Sequence, residues 1–329
     1  MKTMITGIRP TGCITLANYI GGMKNFIDNQ YKYNSIIFIA DIHGLTTYID
    51  ASIIRKNILD ITALYLASGI DINNTIIFKQ SDVLEHCNLG YLMAFQCGVG
   101  ELSRMTQYKS KKNELKKSDK DMGLFIYPTL MAADILLYDA SVVPVGKDQV
   151  QHIEITREIG NRFNKVYGNT FVLPEYETPK VGSKIMNLQN ASTKMSKSAN
   201  INDRGTIFIL DDIEITRKKI LSAITDSDNK IYFDEEKKTG ISNLLSIVAS
   251  ITNKSIKEME NIYKDYNYKD FKEDVANVVC NFISDIQSKY YKFRNDESYL
   301  EKVLNVGGTK ARIIANKKLN IVKKKVGLI

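Results

Sequence analysis

Ser35-Ile36-Ile37-Phe38-Ile39-Ala40 is an unbroken apolar run, and a strand of that composition needs cover on both of its faces. A half-wet antiparallel sheet would show alternation instead. Met4-Ile5-Thr6 ahead of it and Thr75-Ile76-Ile77-Phe78 beyond it are short segments of the same kind, and a further strand is expected over 142–145. Helical periodicity separates them: Leu16, Tyr19, Ile20, Met23, Phe26 and Ile27 recur at helical spacing, as do Ile54, Ile58, Ile61 and Tyr65 within 51–68. Strand and helix therefore alternate, which argues for a parallel α/β sheet with ligands outside the carboxyl ends of its strands. His43, in Asp41-Ile42-His43-Gly44, falls at such an end, as do Gly146 and Asp148 after the strand at 142–145.

Two stretches point to phosphate. Gly7-Ile8-Arg9-Pro10-Thr11-Gly12-Cys13-Ile14-Thr15-Leu16-Ala17-Asn18 runs from strand through a Gly/Pro turn into helix. Free backbone N–H groups and a helix N-terminus meet there and attract anions, and Asn18 can donate to a phosphate oxygen. An ordinary βα turn has the same look. The second stretch is Lys194-Met195-Ser196-Lys197-Ser198. Its two ammonium groups, flanked by hydroxyls, supply charge and donors where negative charge grows as pyrophosphate leaves an attacked α-phosphate. Alone it reads equally as a solvated basic turn; paired with the first stretch it points to ATP.

Together they resemble the HIGH and KMSKS signatures of class I aminoacyl-tRNA synthetases, with Thr15-Leu16-Ala17-Asn18 in the place of the HIGH tetrapeptide. Tyr127-Pro128-Thr129-Leu130-Met131-Ala132-Ala133-Asp134-Ile135-Leu136 and Val143-Pro144-Val145-Gly146-Lys147-Asp148-Gln149-Val150-Gln151-His152 are similar to the amino-acid-pocket helix and ribose-binding turn of the bacterial-type tryptophanyl-tRNA synthetase family. The likeness runs from Met1 to about the last helix, in that family's order and spacing. It implies a Rossmann-like parallel-sheet nucleotide-binding domain over 1–200, with an insertion about 105–122 at a dimer interface. A helical anticodon-binding domain over 201–290 and a helical tail over 291–329, packed back on the catalytic domain, would follow. The implied activity is ATP-dependent conversion of L-tryptophan to tryptophanyl-adenylate and transfer to tRNA(Trp) by a homodimer, with Mg²⁺ carried by ATP and no metal site in the protein.

Such chemistry needs no protein nucleophile, only positioning and charge neutralisation. By the resemblance, Lys197 stabilises the departing phosphates with Lys194, Ser196 and Lys111 assisting, Lys111 from the insertion reaching the γ-phosphate. Arg9, Pro10, Thr11, Ala17, Asn18, Lys147 and Ser198 also meet ATP. Gly146 admits the adenosine, Asp148 accepts from ribose hydroxyls, and the main chain of Ile185 and Met195 frames the adenine. Asp134 follows Met131-Ala132-Ala133 on an apolar helix, a costly place for a carboxylate without a donor. A nearby lysine or a backbone N–H would serve; the resemblance assigns an indole N–H. Ile5, Met131, Val143 and Val145 would line the indole slot, and Tyr127 and Gln149 would hold the ammonium group. His43 suits either that site or a structural place after its strand, and His86 and His152 read as structural.

Four positions depart from the family's habit. Ala17 stands for a usual glycine, Arg9 for a frequent glutamine, Lys147 for a frequent glutamate, and Ile5 for a larger aromatic. With 329 residues, 44% of them hydrophobic, the chain can bury a large core. Its net charge of +8 suits a polyanion such as tRNA better than a membrane, although lysine-rich coding explains the charge as well. Arg217-Lys218-Lys219 is read as a solvated helix face. Cys13, Cys87, Cys97 and Cys280 form no CxxC pair, and no stretch reaches ~18 unbroken apolar residues. A soluble cytoplasmic protein without DNA or membrane partners is expected. Tyrosine charging, a catalytically impaired paralogue that binds tryptophan or RNA, and a nucleotidylyltransferase without tRNA are the rival readings.

Overall fold

A computed structural model of the chain describes residues 1–47, 49–109, 121–146, 149–177, 184–197 and 199–329. Its centre is a five-stranded sheet built from β1 (Thr3–Ile8), β2 (Asn34–Ile39), β3 (Thr75–Lys79), β4 (Ala140–Pro144) and β5 (Glu175–Glu177), in the order β3-β2-β1-β4-β5 with every neighbouring pair parallel. Period-2 alternation divides the core between the two faces. Met4, Ile37, Ile39, Ile77 and Val142 join one hydrophobic cluster, whereas Ile5, Ile36, Phe38, Phe78 and Val143 join the other. Each such side chain, once fully buried, contributes roughly 1.5–3 kcal/mol, so a register slip of one residue would be strongly opposed. The chain leaves β1 for β2 on one side and returns to place β4 on the other, which opens a crevice above the β1/β4 carboxyl ends.

The first crossover is α1 (Leu16–Asn18), a π-helical segment Tyr19–Lys24 containing Gly21-Gly22, and α2 (Asn25–Asn29). α3 (Asp41–Gly44) and α4 (Ala51–Ala67) lead to β3, and α5 (Glu85–Ala94), α6 (Val99–Arg104) and α7 (Asp121–Leu136) lead to β4. α8 (Val150–Tyr167) connects β4 to β5. Beyond the sheet lie α9 (Ile213–Leu221), α10 (Thr239–Thr252), α11 (Ile256–Tyr263), α12 (Tyr268–Arg294) and α13 (Glu297–Lys325). Several contacts bind these helices to the sheet layer. Asp60 of α4 accepts from Tyr290 at 3.0 Å and from Arg294 at 2.7 Å on α12. α13 lies so close along β3 that a Cβ on Gly307 would sit 1.8 Å from the Ile77 carbonyl oxygen.

Strand and helix expectations agree with the structure within a residue or two, and Ser242-Asn243 is the instructive difference. As sequence it has the composition of a helix start, yet α10 begins at Thr239 and both residues lie inside it, buried. Their polar groups serve tertiary contacts: Ser242 exchanges two hydrogen bonds with the Asp234 main chain, and Asn243 pairs with that of Met186. Among the described residues, no helix is long and apolar enough to cross a membrane.

Candidate functional site

The crevice at the switch point holds a cavity of about 490 Å³ with a polar end and an apolar end. Arg9, Thr11, Ala17 and Asn18 line it from the β1 turn, and Gly146 lines it from the end of β4. The turn is shaped by Gly12, at φ +76°, where a Cβ would meet the Lys197 carbonyl at 3.0 Å. Pro10 is buried, its carbonyl held by Asn57 Nδ2 at 2.9 Å. Thr15 caps α1, and Asn18 Oδ1 returns the bond to the Thr15 main-chain N–H at 3.2 Å and to its hydroxyl at 3.0 Å. With Oδ1 so used, Asn18 has its amide N–H groups to offer a ligand.

The lysine-bearing loop rises from a short hairpin in which Met186 pairs with Lys194 and Met195 N donates to Ile185 O at 3.1 Å. Ile185 and Met195 are buried, and Asn243 of α10 holds both Met186 main-chain groups at 2.8 and 2.9 Å. From there Lys197 reaches across the mouth of the crevice and donates to Arg9 O at 2.7 Å. Burial, followed by the charge of Arg9, lowers its pKa from 10.5 to about 8. Lys194 and Ser196 lie apart from Lys197, on a neighbouring polar depression with Asn187, Asn200, Asp203 and Thr206. Lys111, Lys147, Asp148 and Ser198 lie outside the described residues.

Ile5, Met131, Val143 and Val145 line the apolar end, and Asp134 stands on its wall with no exposed surface. Three donors meet this carboxylate: His43 Nε2 at 2.8 Å on Oδ2, and Gln80 Nε2 at 2.8 Å with His86 Nδ1 at 2.6 Å on Oδ1. Burial works to raise its pKa, but the charge and hydrogen bond of His43 and the bond from His86 prevail and hold it at about 2. Tyr138 lies 2.7 Å behind His86, at Nε2. Tyr127 and Gln149 border the same cavity and are joined through His152, which meets the Tyr127 hydroxyl at Nε2 and Gln149 Oε1 at Nδ1, the latter at 2.7 Å. Burial, against the pull of Arg9, pushes the Tyr127 phenol up to about 12.

The structure thus brings Ile5, Arg9, Thr11, Ala17, Asn18, His43, Tyr127, Met131, Asp134, Val143, Val145, Gly146, Gln149 and Lys197 to one cavity, whereas Pro10, Ile185 and Met195 are buried and do not line it. The sequence reading missed Gln80, His86 and His152 as site residues. Gln80 follows β3 directly, so the strand-end rule that found His43 would have found it too. His152 lies one helical turn after Gln149, a spacing that puts both on one face.

A crevice at a strand switch point, with a glycine turn on one wall and a lysine-bearing loop across its mouth, is the nucleotide-holding plan of the class I synthetases, and this chain is built to it. A family profile described as tRNA synthetases class I (W and Y) matches residues 1–284, and the chain belongs to that family. It is 48% identical over 333 residues to the tryptophan–tRNA ligase of Mycoplasmopsis pulmonis, covering 99% of this chain and 98% of that one. With the tryptophan–tRNA ligase of Bacillus subtilis it shares 45% identity over 329 residues, again covering 99% and 98%. Among solved structures, tryptophanyl-tRNA synthetase from Mycoplasma pneumoniae matches with a TM-score of 0.92 at 34% identity, over 99% and 98% of the two chains. The Campylobacter jejuni tryptophanyl-tRNA synthetase complexed with ADP and tryptophan matches at 0.80 and 33%, over 99% and 100%.

Proposed function

We propose that this chain activates L-tryptophan with ATP and transfers the tryptophanyl group from the adenylate to tRNA(Trp). One observation at the site carries the reading: Asp134 is an ionised, fully buried carboxylate beside an apolar slot. Its oxygens offer about four acceptor positions, and the three protein donors leave one on Oδ2. An indole N–H is the apolar-ring donor that such a position selects, and the full-length identity to tryptophan–tRNA ligases supports the same choice.

In this reading the substrate carboxylate attacks the α-phosphate and pyrophosphate departs. Lys197 neutralises charge on the leaving phosphates, assisted by Lys194, Ser196 and Lys111, while Arg9, Asn18 and the Gly12 turn hold the rest. The turn's close fit against Lys197 and the free amide of Asn18 support a polyphosphate there. Lys194 and Ser196 join the site when the loop bends over ATP. Among the described residues no group of acidic, His or Cys side chains could hold a metal; Mg²⁺ enters with the nucleotide. Ile185, Met195, Gly146, Lys147 and Asp148 receive the adenosine. The helices over 201–290 meet the anticodon stem, the chain works as a homodimer, and the cytoplasm is its place of work.

ATP–pyrophosphate exchange tests this, run with tryptophan and separately with tyrosine on wild type and Asp134→Asn. Exchange is expected with tryptophan alone and falls by ~10²-fold or more in the variant, whose amide oxygen keeps the two donors of Gln80 and His86 and so turns its NH2 group against His43 and the indole N–H. Equal exchange with tyrosine would move the reading to the rival amino acid, and no exchange with either would remove the synthetase activity.

A further inference from the structure

We infer that His152 is a positioning residue that makes Tyr127 an acceptor for the amino group of the amino-acid substrate; this rests on the reading of Tyr127 and Gln149 as the ammonium site. His152 is 2% exposed, in the first turn of α8, and both of its ring nitrogens bond to side chains that border the cavity. The amide oxygen Oε1 of Gln149 can only accept, so the Nδ1 atom facing it at 2.7 Å carries the ring proton. In the neutral ring Nε2 then has only a lone pair, and the Tyr127 hydroxyl must donate to it. The single proton of the phenol is committed to the protein interior, and its oxygen presents lone pairs to the cavity. Left to itself a tyrosine hydroxyl can donate or accept; here one role remains.

That polarity suits one class of ligand group. An ammonium is all donor and finds an acceptor waiting at no cost of reorientation, whereas a hydroxyl in its place makes only a weaker neutral bond and a methylene none. Ring contacts hold the geometry: His152 meets Tyr127 edge-on at 5.5 Å and 71°, and His43 meets Tyr127 edge-on at 6.4 Å and 80°. A histidine serving packing alone would need no link between two cavity-lining side chains.

The chain contains no tryptophan, so the indole fluorescence of a ligand is the only indole signal. Binding of L-tryptophan and of indole-3-propionate, which lacks the amino group, is measured with full-length wild type, His152→Phe and His152→Asn. Wild type is expected to prefer tryptophan by at least about tenfold. His152→Phe keeps the ring contact and removes both bonds; it should lower that preference about tenfold and leave indole-3-propionate affinity within about twofold. His152→Asn, which can still donate to Gln149, should recover part of the preference and keeps the test open if the Phe variant is too unstable to purify. Equal weakening of both ligands, or an unchanged preference, would overturn the role of His152. A wild type that binds both ligands alike would instead overturn the ammonium reading of Tyr127 and Gln149, and the role of His152 with it.

Discussion

In the proposed reaction Lys197 would act as an ammonium that burial has already stripped of part of its hydration. Its folded pKa of about 8 lies below 10.5 because burial and Arg9 oppose the charge, so the free enzyme loses this charge as pH rises through 8. A bound polyphosphate reverses the balance and raises the pKa again. The expected result is kcat/KM for ATP that declines above pH ~8 while kcat holds to higher pH, since the first reports free enzyme and the second the complex. Replacement by arginine, which does not titrate in this range, should remove the break; a flat wild-type profile from pH 7 to 9 would sink the assignment. The same group affects stability with the opposite sign to a paired lysine: its folded pKa is depressed, so its unfavourable contribution is full below pH 8 and is relieved between 8 and 10.5. Lys197 and Asp134 were legible in the sequence because each sits inside a motif with a chemical reason for its residue type. His86 and His152 were not, because a lone histidine on the buried face of a helix is normally a packing residue. Their partners lie 48 and 25 positions away in the chain.

Individual elements were legible wherever periodicity carried the signal, as in β1 to β4 and the helix at Ala51–Ala67, whereas the short β5 was not. Side-chain hydrogen bonding deceived it at Ser242-Asn243, where residues with a capping composition were used to tie α10 to other segments. Close packing between elements left no trace in periodicity at all. Gly307, in the middle of α13, has a helix interior's intrinsic penalty with no visible compensation until the Ile77 carbonyl is seen against it. Gly307→Ala should therefore destabilise the protein by about 1–3 kcal/mol, although alanine is the better helix former. Thermal unfolding of the variant measures this, and a raised Tm would show that α13 does not lie this close to β3 in solution.

Over the whole molecule, one hydrophobic cluster runs from Met4 and Ile39 through Ile207 to Val275 and Leu304. Outside that core, exposed large apolar side chains gather on the packed helices α5, α6 and α7: Tyr91 and Phe95, ring against ring at 5.3 Å, with Val99, Met122 and Ile126. Apolar surface of this kind marks a partner face, and the homodimer proposed above would cover it. Tyr91→Glu with Phe95→Glu should yield a monomer in sedimentation velocity; an unchanged assembly would place the contact elsewhere. The alternation of buried strands and amphipathic helices, the phosphate turn and the lysine loop were determined by sequence alone, because each depends on residues a few positions apart. The union of Lys197 with Arg9, the three donors on Asp134 and the polarity of Tyr127 were decided only by tertiary structure. Each joins groups far apart in the chain, and only the sheet order and the packing of helices on it bring their polar atoms within hydrogen-bond reach.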